Sequence, residues 1–220
     1  MTDQMPTSDQ SHLQEYTVTT SESPTSRPLP PATFDGPIGV RMSEFSSDYM
    51  THIEQHLDED YTHVPERMMA LLRSTDELIQ GFQVSQLVHG LQTATRAEEA
   101  GAGIDMIVGA LCHDVGKIIS NANHPAIAAE MIRPFVSDEV YWVVKVHQDF
   151  EGMHYYARMG LDPMARLKHR EHPFYALAEQ FADEWDERAF DPDYPTMPLE
   201  HFEPMVREVF SRPPRRGPAN

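Results

Sequence analysis

Apolar residues recur at helical spacing through most of the chain, and the exceptions are as telling as the rule. Ser43 to Leu57 and Val64 to Leu72 read as amphipathic helices, with apolar positions three and four apart. Ser85 to Ala100 follows, with Leu87, Leu91 and Ala94 in one stripe. Ile104 to Asp114 is different. Ile104, Met106, Ile107, Val108, Ala110 and Leu111 surround the helix axis, which predicts a buried helix. Asn123 and Pro125 mark the start of a helix to Arg133, and Ser137 caps one running to about His147. His172-Pro173 opens a helix through about Glu187, and Leu199 to Phe210 forms the last. No segment shows a convincing strand pattern, so the expected fold is all-α, a helical bundle with short connections.

Residues 1–40 lack this periodicity. They are rich in Ser, Thr, Gln and Pro, with too little apolar surface to offset the entropy of ordering, and are expected to form a flexible tail. The helical domain is expected over 41–211, and 212–220 form a second flexible tip.

The net charge of −18 argues against nucleic acid and anionic membranes as partners. It leaves room for a small anionic substrate in a locally positive cleft. The single cysteine, Cys112, lies in the buried run and reads as a small core residue. No basic start followed by an apolar segment opens the chain, and no apolar run reaches membrane-spanning length. A soluble, cytoplasmic protein is expected.

The buried run ends abruptly in His113-Asp114-Val115-Gly116-Lys117, with Gly116 offering an exit from the helix. A buried carboxylate without a partner costs several kcal/mol, on the order of the penalty for any unpaired buried charge. Beside an imidazole, a shared metal ion is the cheapest partner. His89 lies upstream, and His124, His147 and Asp186 lie downstream. Taken singly, each has a plainer reading. His147 suits a core imidazole, His124 a surface cap, and His89 the polar face of its helix, opposite the apolar stripe. Asp186 lies on the flank of the stripe formed by Phe174, Leu177, Ala178, Phe181 and Trp185, whereas Asp183 lies opposite it and should face water. Lys117 and Arg96 are candidates to meet an anionic substrate group, and His154 to line the mouth of a pocket.

The ordered set H…HD…H…H…D, over roughly residues 80 to 190, resembles the HD-domain metalloproteins in their six-ligand, two-metal form. The resemblance implies that Asp114 bridges two metals. His89, His113 and Asp186 would complete one site, and His124 and His147 the other. Four imidazoles and two carboxylates without a thiolate suit two iron ions, with manganese the other fitting metal. Two reactions share this framework. HD phosphohydrolases attack a small phosphate ester or nucleotide with metal-activated hydroxide. The smaller oxygenase branch uses a mixed-valent Fe(II)/Fe(III) pair and O2 to cleave a C–C or C–P bond of a small hydroxylated substrate. Leu87 to Gly101 is similar to the first-ligand helix of the phosphonate-cleaving oxygenases, Trp185-Asp186 to the last ligand motif of the small oxygenases, and Lys117 to a substrate-binding lysine of inositol oxygenase. The oxygenase reading is therefore preferred, with Asp114 and Lys117 in the catalytic machinery and a small molecule and O2 as partners. The chain departs from the phosphonate-cleaving type at Ile79-Gln80-Gly81-Phe82-Gln83, which lacks that type's Tyr and Glu lid.

Overall fold

A computed structural model describes residues 34–215, which are helical and contain no strand. The tail expected over 1–40 lies outside the described residues up to residue 33, as do residues 216–220 of the C-terminal tip. The described chain divides into two units, the second starting at Glu54. In the first, a 3-10 turn at Met42–Glu44 is accompanied by a small aromatic group in which Tyr49 meets Phe34 at 5.1 Å and Phe45 at 5.0 Å. Helix α1 (Ser47–Tyr61) starts and ends later than its amphipathic pattern suggests and has no buried residue.

The second unit is built from α2 (Val64–Ser74), α3 (Gln86–Glu99), α4 (Ile104–Cys112), α5 (His124–Ile132), α6 (Asp138–Tyr155), α7 (Tyr175–Gln180) and α8 (Leu199–Phe210). As its all-round apolar pattern requires, α4 is the central helix, buried from Met106 to Cys112 and packed by α3, α5, α6 and α8. Val140, Val143 and Val144 of α6 and Phe202, Val206 and Phe210 of α8 complete the core. Cys112 is buried there, and burial pushes its thiol up to about 12, as expected for an inert core residue. Among the described residues, no helix is long and apolar enough to cross a membrane.

The caps differ in part from their sequence signals. Ser85 caps α3, its hydroxyl accepting from the Val88 amide at 3.2 Å. Asn123 and Ser137 occupy cap positions, but neither side chain accepts a capping bond. The Ser137 amide instead donates to Asp105 of α4 at 2.9 Å. Helix α6 runs two turns beyond His147, to Tyr155. The start of the C-terminal tip is anchored, since Arg212 pairs with Asp105 at 2.6 Å and the Arg215 amide donates to the Pro134 carbonyl at 2.9 Å.

Helices α3 and α4 approach closely through Gly90, where a Cβ would meet the Leu111 carbonyl oxygen at 2.8 Å. Backbone cannot yield as a side-chain tip can. Gly90→Ala is therefore expected to destabilise the protein by about 1–3 kcal/mol, the usual cost of overpacking, measurable as a lowered midpoint in denaturant unfolding.

Candidate metal centre

The six expected ligands reach one buried volume from five local structures. His89 stands on α3, and His113 and Asp114 follow the last turn of α4. The link from Asp114 to α5 is filled by two 3-10 turns, Val115–Ile118 and Asn121–Asn123, which bring His124 back at the first residue of α5. His147 lies on α6, which returns antiparallel to α5. Asp186 ends a π-helical turn, Phe181–Asp186. The wider turn keeps Phe181 and Trp185 in the core and buries Asp186 as well, a step beyond the flank position of a regular α-helix. Gly116 is not a left-handed helix stop. It has no positive φ, and a Cβ there would collide with the His124 backbone. Its role is to let the Asp114 turn and the start of α5 touch.

The donors are presented in a consistent way. Nδ1 of His89, His113, His124 and His147 faces the carbonyl of Ala189, Ala110, Asn121 and Val144, at 2.9, 2.7, 2.8 and 2.7 Å. A carbonyl can only accept, so each Nδ1 carries a proton, and each ring in its neutral form turns an Nε2 lone pair inward. The Nε2 atoms of His89 and His113 are 3.1 Å apart, and those of His124 and His147 are 3.3 Å apart. Two imidazole nitrogens bound to one ion at about 2.1 Å stand about 3.0–3.4 Å apart.

Asp114 divides the two pairs. Its Oδ2 lies 3.3 Å from His89 Nε2 and 3.5 Å from His113 Nε2, and its Oδ1 lies 3.0 Å from His124 Nε2 and 3.5 Å from His147 Nε2. Asp186 Oδ1 joins the first pair, 3.0 Å from His89 and 3.3 Å from His113. His113 sits between the halves. It groups within 4.8 Å both with His89 and Asp186 and with Asp114 and His147. Asp114 Oδ1 and both Asp186 oxygens are buried without a hydrogen bond. Lone pairs from four nitrogens and two carboxylates thus converge out of water, an arrangement that bound cations would satisfy. The donor set could hold two metal ions: one by His89, His113, Asp186 and Asp114, the other by Asp114, His124 and His147.

The local electrostatics agree. Burial would raise the Asp114 and Asp186 carboxyls, but the surrounding imidazoles, His113 foremost, hold both well below the usual carboxylate range. Burial lowers the His147 imidazolium. It also acts to lower that of His89, but there the Asp114 and Asp186 carboxylates outweigh it and raise the group to about 10.

Beside the second half of the centre lies a cavity of about 770 Å³, lined among others by Lys117, His124 and His154. Lys117 donates to Asp114 Oδ2 at 2.5 Å and to Gln86 Oε1 at 3.1 Å. His154 pairs with Asp183 at 2.8 Å, so Asp183 does not simply face water; Arg166 binds it too, at 3.0 Å. Arg96 is not brought to the cavity. Its guanidinium lies 3.7 Å from the centre of the Tyr194 ring and donates to the Arg188 carbonyl at 3.1 Å. The polar face of α3 is not a cavity wall but a buried seam, because Gln92 donates to the Asp191 carbonyl at 2.6 Å and Thr95 accepts from the Met197 amide at 3.1 Å.

Several cavity residues carried no sequence signal. Phe190 stacks on the His89 ring at 4.2 Å, and Phe82 stacks on Phe190 at 4.8 Å. These rings shield the first half of the centre, while Gln148 and Glu151 line the cavity from α6. The departing window at residues 79–83 therefore supplies an aromatic wall through Phe82. Only the continuation of α6 past His147 could have pointed to Glu151.

A model of the HD domain family matches residues 87–190, a span that holds every one of the six donors. These residues are similar to the HD domain family. No curated protein matches the chain. Members of this family are mostly metal-dependent enzymes, and the His and Asp clusters described above are candidate sites for such metals.

Asp114→Ala is expected to reduce bound metal from about two ions per chain to near none by elemental analysis, because it removes the one carboxylate both halves share. Retention of both ions would refute the bridge. Metal loading must also expel the proton that His89 otherwise keeps up to about 10. Apparent metal affinity should therefore rise with pH below that value, by about tenfold per unit for each proton released, in a chelator competition titration.

Proposed function

We propose that this HD domain is a di-iron oxygenase that uses O2 to cleave a C–C or C–P bond of a small hydroxylated substrate. The observation that carries the reading is the asymmetry of the donor set. One half has four donors, His89, His113, Asp186 and Asp114, and is shielded by the Phe190 ring. The other has three, Asp114, His124 and His147, and opens to the cavity through His124. An all-nitrogen and oxygen set favours iron or manganese over a structural zinc. The resemblance of Leu87 to Gly101 and of Trp185-Asp186 to the small oxygenases adds to this support.

When bound, an iron pair supplies one-electron chemistry and open positions for O2 and a substrate oxygen. The protein's part is placement. Asp114 ties the two halves together, and the four carbonyl acceptors fix the imidazole tautomers. The Phe82 and Phe190 stack excludes water from one side. Lys117, held between Asp114 and Gln86, points its ammonium at the cavity beside the open half and is the group placed to hold a substrate oxygen.

Aerobically purified protein should contain mainly iron and give the electron paramagnetic resonance signal of a coupled Fe(II)/Fe(III) pair. Two redox-inert divalent ions with turnover of phosphate esters would replace this reading with the hydrolytic one. Lys117→Ala should leave metal content nearly unchanged, since a protonated amine has no lone pair to give. It should lower kcat/KM by about one to two orders of magnitude, the loss of one charge-assisted hydrogen bond.

A further inference from the structure

The π turn Phe181–Asp186 is held from two sides. Its register shows in the backbone, where the Glu187 amide donates to the Ala182 carbonyl, five residues back, at 3.0 Å. Turns of this kind are rare inside α-helices. Side-chain contacts must therefore favour this one over the regular register. On the inner face, Phe181 and Trp185 are buried in the core. On the outer face the contact is an ion pair. Arg166, from the 3-10 turn Ala165–His169, places Nη1 3.0 Å from both oxygens of Asp183.

The two partners are unequally placed. The Arg166 side chain is 7% exposed and that of Asp183 31%. Among the described residues, no other carboxylate lies within hydrogen-bond distance of Arg166. Glu179 is the next at 3.9 Å, and Nη2 faces the Met153 sulfur. A guanidinium so far out of water is costly unless its charge is answered, so the pair with Asp183 has to form. That fixes where Asp183 stands. His154 also pairs with Asp183, at 2.8 Å, but is itself 31% exposed and is the lesser restraint. Neither Arg166 nor Asp183 lines the cavity beside the centre.

Asp186 follows Asp183 by three residues, and its Oδ1 lies 3.0 Å from His89 Nε2 and 3.3 Å from His113 Nε2. A regular α-helix would leave it on the flank of the apolar stripe. With Phe181 and Trp185 fixed inside and Asp183 fixed outside, the wider turn carries it inward. We propose that Arg166 is a positioning residue of the metal centre: by clamping Asp183 it holds the π turn in the register that delivers Asp186. The proposal rests on the reading of the six donors as a metal centre and adds a residue outside that set.

The test is titration of metal-free full-length protein with Mn(II) against a competing chelator. The wild type is expected to bind two ions. Arg166→Met keeps the apolar stem and removes the charge. It should weaken one ion by about tenfold or more, the usual effect of losing an outer-shell contact, and leave the other within about threefold. Arg166→Lys should stay close to wild type, because Nη1 alone touches the carboxylate and an ammonium can take its place. Asp183→Asn loosens the same contact from its half-exposed side and should reproduce the selective loss. In an Asp186→Asn background, Arg166→Met should cost nothing further, since the group it positions is gone. A purely structural role would persist in that background and overturns the proposal. So does equal weakening of both ions, or Arg166→Met and Asp183→Asn variants that bind both ions like the wild type. A wild type that binds no ion would overturn the metal centre itself, and the proposal with it.

Discussion

The carboxylate of Asp114 is the constraint around which the domain is arranged. It is buried at the end of the most apolar helix, with an imidazole pair facing each oxygen. Neither pair is tolerable alone in a dry interior, and neither is the carboxylate. Positive charge shared between them resolves all three problems together. The surrounding fold serves this end: α4 delivers the Asp, α3 and the π turn close one side, and the α5–α6 pair brings two further histidines to the other.

Glycine makes part of that convergence possible. Side chains at Gly90 and Gly116 would strike backbone, of Leu111 in one case and His124 in the other. Two of the contacts among the five ligand-bearing segments, α3 with α4 and the Asp114 turn with α5, thus need a position without a side chain. Such close packing leaves little slack, so imidazole positions are set by backbone carbonyls rather than by mobile side chains.

Much of this was legible in the chain because rare residue types carried it. The all-round apolar run of α4 ending in His-Asp admits few explanations, and the six donors follow in an order that a chance set seldom reproduces. The helices read correctly where periodicity was strong, as in α3, α4 and α8. What escaped notice depended on segments distant in sequence. The wheel of α3 showed a polar face, but a wheel cannot show that residues 188–197 fold over it and bury Gln92 and Thr95 against backbone partners. Arg96 looked like a substrate ligand for the same reason, until Tyr194 is seen beneath it. Glu151 was hidden by an underestimate of helix length, since α6 continues past His147 through polar residues that give no periodic signal.

The π turn at Phe181–Asp186 deserves a longer view. A π turn is an α-helix carrying one surplus residue. Its apolar members, Phe181, Ala182 and Trp185, belong to the core, while its last residue belongs to the centre. Structural and chemical duties are therefore separated by a single insertion. A lineage that lost one residue here would regain a regular helix and much of its packing while swinging the last carboxylate away. The scaffold could persist as a binding module after its chemistry had gone, and one residue of helix length would record the change.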